Sequence, residues 1–138
     1  MAIEFRYRQE RGTGGVPIAR PVAQATLRGP SGRDLVQFFY IDSGADFTVI
    51  PYQVGQYLGL LSQGQTIREV QGINGAVGVV YAPLTMTLGG ISFPVEVAWA
   101  QLEHVPLLLG RKDVFDRFEI VFRQSQGVVQ FLELPIQI

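Results

Sequence analysis

Apolar residues in this chain fall at every second position over short runs, and glycine and proline punctuate the runs. Ile3-Glu4-Phe5-Arg6-Tyr7 alternates, Val22 to Leu27 alternates, and Leu35 to Ile41 is dense in aromatic and branched residues. A period of two sends successive side chains to opposite faces of a strand, so these segments read as β-strands. The turn-rich Arg28-Gly29-Pro30-Ser31-Gly32-Arg33-Asp34 should join the last two as a hairpin. Gly12-Thr13-Gly14-Gly15-Val16-Pro17 reads as a loop after the first strand. Ile67 to Val80, with Gly72, Gly75 and Gly78 among branched residues, suits a flexible hairpin. Ala82 to Leu88 and Ile91 to Trp99 form another around Gly89-Gly90. Glu119 to Phe122 and Val128 to Leu134 close the chain as strands around Gln126-Gly127. Two helices are expected: Pro51 to Leu60, with proline in the first turn and weakened by Gly55, and Lys112 to Phe118.

The 138 residues suit one domain, 1–138, and a composition that is 47% hydrophobic and 17% charged supports a real core. Lys plus Arg number 11 against 12 Asp plus Glu, and a net charge of -1 gives no reason to expect nucleic acid or a membrane surface as partner. With no cysteine, disulfides, thiolate nucleophiles and cysteine metal sites are excluded. His104 is the only histidine and has no partner of matching type, so it is read as structural or surface rather than as a metal ligand. Met1 to Arg6 carries charges where a signal peptide would be apolar, and no run approaches the roughly 20 apolar residues of a membrane span. A cytoplasmic protein, or a domain of a longer one, is the expectation.

Chemistry concentrates in Phe38-Phe39-Tyr40-Ile41-Asp42-Ser43-Gly44-Ala45-Asp46-Phe47-Thr48-Val49-Ile50-Pro51. A carboxylate directly after an apolar strand, followed by a hydroxyl residue and glycine, belongs on a tight turn at a strand end, with Phe38, Tyr40 and Asp42 on one face. Asp-Ser-Gly alone fits equally a turn in which Asp42 merely caps backbone amides.

The longer match is specific. Ile41 to Ile50 resembles the active-site signature of retropepsins, in which an apolar pair precedes Asp-Thr/Ser-Gly-Ala, and Ser43 in place of threonine lies within that family's range. Pro106-Leu107-Leu108-Leu109-Gly110-Arg111 resembles the family's second signature, an apolar run ending in Gly-Arg before a helix. The resemblance implies an all-β, closed barrel-like acid protease fold with a flap hairpin and one or two short helices, assembled as a two-fold symmetric homodimer. It also implies an aspartic endopeptidase that acts on a peptide or protein beside apolar residues, with no metal and no cofactor. Such chemistry needs two carboxyls a few ångströms apart. The other aspartates, Asp34, Asp46, Asp113 and Asp116, are not followed by Ser-Gly or Thr-Gly, so a second copy of Asp42 must supply the partner.

Carried across residue by residue, the resemblance makes Asp42 catalytic and makes Ser43 and Gly44 the support that locks the two loops together. It sets Ala45, Asp46 and Phe47 along the substrate backbone, and Tyr40, Val49, Val105, Pro106 and Leu108 in the substrate subsites. It pairs Asp46 with Arg111 in a structural ion pair, whose alternative is a solvated charge at a helix start. Ile73 and Ala76 are flap candidates, and a plain surface hairpin is the alternative there. In viral members the chain ends interleave to hold the dimer. Here both flanks are longer than that pattern needs, and Pro135 interrupts the end. Two competing readings stand beside the enzyme: a catalytically silent dimerisation or peptide-binding module of the same fold, and an unrelated ligand-binding β-barrel.

Overall fold

The computed structural model describes residues 2–72 and 75–135. Its strands are β1 Ala2–Arg6, β2 Arg8–Arg11, β3 Pro17–Arg20, β4 Val22–Arg28, β5 Asp34–Ile41, β6 Thr48–Ile50, β7 Arg68–Gly72, β8 Gly75–Leu88, β9 Ile91–Ala100, β10 Leu108–Leu109, β11 Phe118–Arg123 and β12 Val128–Glu133. Strands β4, β5, β10, β6, β9 and β8 hydrogen-bond in that order, and β4 pairs again with β8 through Thr26, Leu27 and Arg28. The result is an all-β, six-stranded closed barrel, which leaves no free edge among those six strands. Strand β7 extends the sheet past β8, β1-β12-β11 form a second sheet, and β2-β3 form a hairpin of their own.

Alternation along the strands places the core. Ala23, Ala25 and Leu27 of β4, Phe39 and Ile41 of β5, and Leu84, Met86 and Leu88 of β8 are buried and face inward. Aromatic edges knit the β1-β12-β11 sheet, Phe5 against Phe131 and Phe118 against Phe131 with centroids 5.6 Å apart in each pair, and Phe118 fastens it to the barrel against Phe93 of β9 at 5.8 Å. Edge-to-face pairs of this kind add about 0.5–1.5 kcal/mol each beyond the area they bury.

The single α-helix among the described residues, α1 Tyr52–Tyr57, is shorter than the pattern 51–60 suggests. Gly55 weakens its propensity but is required by packing: a Cβ there would overlap the buried Trp99 indole. The same indole stacks on Tyr52 at 5.3 Å and donates through Nε1 to the Tyr52 carbonyl. None of the helices in the described residues is long and apolar enough to cross a membrane.

One expectation is refined and two are corrected. The loop that begins at Gly12 does follow β1, and it caps the additional β2-β3 hairpin, where the Gly12 N–H donates to the Val16 carbonyl. Gly75 to Leu88 is one continuous strand, not two pieces. The expected helix from Lys112 to Phe118 is a single irregular turn, Arg111–Phe115, with Asp113 at φ 70° and Phe118 already in β11. Side-chain hydrogen bonds outcompete the helix there. The Asp116 carboxylate accepts from the Asp113 N–H, and the Asp113 carboxylate accepts from the Glu96 N–H of β9 at 2.8 Å.

Candidate active site

Strand β5 ends at Ile41, and the chain turns through Asp42 to Phe47 before returning as β6. Strand β10 slots between these two, parallel to β5 (Leu108 beside Tyr40, Leu109 beside Ile41) and antiparallel to β6 (Leu108 beside Val49). That insertion brings the two sequence signatures together. The Asp42 N–H donates to the Leu109 carbonyl at 3.0 Å, the Arg111 N–H to the Ala45 carbonyl at 2.9 Å, and the Lys112 N–H to the Asp46 carbonyl at 2.9 Å.

Within the turn, the Asp42 Oδ1 accepts from the Gly44 N–H at 2.9 Å, and the Ala45 N–H donates to the Asp42 carbonyl at 3.2 Å. Asp42 is half-buried, whereas Ser43 and Gly44 are exposed at the tip. One carboxylate oxygen is thus fixed by the backbone while the side chain still borders solvent.

Behind the turn, Thr48 is the one buried polar side chain among the described residues, and its Oγ1 accepts from the buried Gly110 N–H at 3.2 Å. Gly110 has no room for a side chain, because a Cβ would overlap the Phe47 carbonyl group and approach the Thr48 N at 2.8 Å. Thr48 and Gly110 therefore clamp the two signatures. Thr48 was absent from the sequence-derived candidates. A hydroxyl in an otherwise apolar three-residue strand, Thr48-Val49-Ile50, is the signal that marks it.

Asp42 opens onto a cavity of about 480 Å³ lined by Glu10, Arg20, Pro21, Tyr40, Ile41, Asp42, Pro106 and Leu108. Of the expected subsite residues, Tyr40, Pro106 and Leu108 thus meet Asp42 there. Val49 and Val105 do not line this cavity. They pack with Phe47 on a separate small apolar cluster of Val79, Ala98 and Ala100. Phe47 also lies 4.6 Å from the Tyr81 ring, and the Lys112 ammonium sits 5.9 Å over its face. Ala76 is exposed on β8, opposite Gln71 of β7. Ile73 lies outside the described residues.

Arg111 Nη2 and Asp46 Oδ1 are 3.3 Å apart, but their side chains are 61% and 76% exposed. The two charges pair as the resemblance implies, but they do so in solvent. An ion pair so exposed contributes about 0–1 kcal/mol. His104 is exposed, and no cluster of metal-ligating side chains occurs among the described residues.

The β2-β3 hairpin brings charge that the sequence reading did not place near Asp42. The Glu10 Oε2 accepts from the Tyr40 hydroxyl at 2.6 Å and from the Arg8 Nε at 2.9 Å, and Arg20 Nε lies 3.1 Å from the Glu10 Oε1. Arg8 also donates to the Tyr40 hydroxyl and lies over the Phe38 and Tyr40 rings. The Tyr40 hydroxyl bond, then the Arg8 bond, hold the Glu10 carboxyl below its ordinary value. The bond to Glu10 in turn holds the Arg8 guanidinium above its own.

Two solved structures share this architecture. A retropepsin-like aspartic protease from Rickettsia conorii is 18% identical with a TM-score of 0.63, over 94% of this chain and 98% of that one. EIAV protease, complexed with the inhibitor HBY-793, is 21% identical with a TM-score of 0.55, over 70% of this chain and 86% of that one. The barrel is thus the retropepsin-like aspartic protease fold. No curated protein matches the chain. The sequence model of the family described as aspartyl protease matches residues 24–112, both signatures included, and the chain belongs to that family.

Proposed function

We propose that two copies of this chain form a peptidase whose active site is the pair of their Asp42 side chains. The observation that carries this reading is the half-buried Asp42 at the mouth of a cavity, on a turn whose exposed tip is Ser43-Gly44, in a chain with one such signature. A two-fold axis at that tip sets each residue against its own copy and supplies the second carboxyl.

Two carboxylates that close do not both ionise, so the pair holds one proton, aspartic proteases being the type case of this coupling. The ionised member takes a proton from water as the water oxygen bonds to the peptide carbonyl carbon. The protonated member donates a hydrogen bond to the carbonyl oxygen as negative charge develops there. Collapse of the tetrahedral species breaks the C–N bond, and the amine leaves with a proton from the pair. Ser43 and Gly44 brace the two turns against each other. The β7-β8 hairpin, which carries Ala76, serves as the flap over the bound peptide.

Ile41, Pro106 and Leu108 give the cavity an apolar floor, which supports cleavage beside apolar side chains. Ala45, Asp46 and Phe47 follow the peptide backbone, and Val49 and Val105 extend the apolar surface next to Phe47.

Incubation with a mixed peptide library tests the reading. The native chain is expected to cleave, and Asp42→Asn, folded to the same melting profile, to lose at least about a hundredfold in rate. Asp42-independent cleavage would refute the assignment. Peptide binding with no cleavage by the native chain would point instead to a silent module of the same fold.

A further inference from the structure

Beside its apolar floor the Asp42 cavity is lined by the polar Glu10, Arg20 and Tyr40, and their hydrogen-bond accounting is lopsided. An ionised carboxylate offers about four lone-pair sites. On Glu10 the Tyr40 hydroxyl and the Arg8 Nε and Nη2 converge on Oε2, and the Arg20 Nε faces Oε1. Oε2 is therefore fully occupied and Oε1 already faces Arg20, so Glu10 is committed to its own two arginines and the Tyr40 hydroxyl. Arg20 is in the opposite position. Its guanidinium carries five N–H donors, the contact with Glu10 runs through Nε, and the residue lines the cavity. Two arginines against one glutamate also leave the cluster with a net positive charge.

The geometry is anchored as well as charged. Glu10 is 21% exposed, and Tyr40, which it holds by the hydroxyl, sits two residues before Asp42 on β5. The β2-β3 hairpin is thereby tied to the strand that presents the catalytic carboxyl, and Arg20 stands at a fixed place beside it.

We propose that Arg20 is a specificity-determining residue that makes one subsite beside Asp42 prefer an acidic side chain, with Glu10 as the positioning residue that aims it. The inference rests on the peptidase reading above. It adds a preference for a carboxylate at one position to the apolar preference set by Pro106 and Leu108.

The test uses the full chain and peptide pairs that differ only in Glu against Gln, placed in turn at each position flanking the cleaved bond. At one position the native chain should favour Glu roughly fivefold in kcat/KM, less than the roughly tenfold or more of a buried hydrogen bond to a charged group because Arg20 is 47% exposed. Arg20→Gln should bring the ratio to about one, and Arg20→Glu should reverse it in favour of a Lys peptide. If either variant fails to fold, the native ratio carries the test: a charge-based preference shrinks as salt rises, and a steric one does not. A native ratio of one at every position, a ratio unmoved by Arg20→Gln, or a salt-independent ratio overturns the inference while leaving peptide cleavage intact. Absence of Asp42-dependent cleavage of every peptide would overturn the peptidase reading and this inference with it.

Discussion

Replacing Gly110 with alanine isolates the clamp that joins the two signatures. Gly110 has φ -103° and ψ -177°, a conformation alanine adopts without strain, so the backbone itself gives no penalty. The added methyl meets the Phe47 carbonyl group and lies 2.8 Å from the Thr48 N, and these are backbone atoms that cannot rotate aside. Overpacking a tight interior costs about 1–3 kcal/mol, and rigid neighbours place this site at the upper end, about 3 kcal/mol. At about 3–5 °C per kcal/mol for a chain of this length, Tm should fall by about 10–15 °C. The relief available, a shift of Phe47 and Thr48, also displaces the turn bearing Asp42, so activity per folded molecule should fall too. Thermal unfolding followed by far-ultraviolet circular dichroism reads the first effect. A Tm lowered by less than about 2 °C would refute the packing argument.

Two further outcomes follow from the charged groups. Arg111→Ala should cost less than about 1 kcal/mol, because the pair with Asp46 is solvent-exposed; chemical denaturation showing a loss above about 2 kcal/mol would mean the pair is buried in the working assembly. Glu10 is held below its ordinary value of 4.5, so its stabilising contribution is complete above that value and is lost as pH falls through the lower folded value. The Tm gap between the native chain and Glu10→Gln should therefore be widest at neutral pH and close in acid, and a gap independent of pH would contradict the tether.

The parts of the fold that the sequence revealed are those set by local pattern. The β4-β5 hairpin, the Gly89-Gly90 turn and the presentation of Asp42 at a strand end all follow from alternation and turn residues. What escaped is set by distant contacts. Arg8-Gln9-Glu10-Arg11 has no apolar face, yet it forms a strand because Glu10 and Arg8 bond to Tyr40, thirty or more residues away. Strand β10 is two residues long and exists because β5 and β6 flank it on both sides. The Arg111–Phe115 turn has helix-compatible composition, and the Asp113 bond to the Glu96 amide is invisible in it. The same limit hid Glu10 and Arg20 from the candidate site.

Mixing native chain with Asp42→Asn tests the shared site most directly. If each site draws one carboxyl from each of two subunits, a mixed dimer has a single Asp42 and is nearly inactive. After co-refolding at fixed total protein, well above the dimer dissociation constant, initial rates should follow the square of the native fraction, so an equal mixture retains about one quarter of full activity. A self-sufficient chain would retain about one half. A straight line across the series, in place of the parabola, would contradict the paired-Asp42 mechanism and require a second acid from Asp34, Asp46, Asp113 or Asp116.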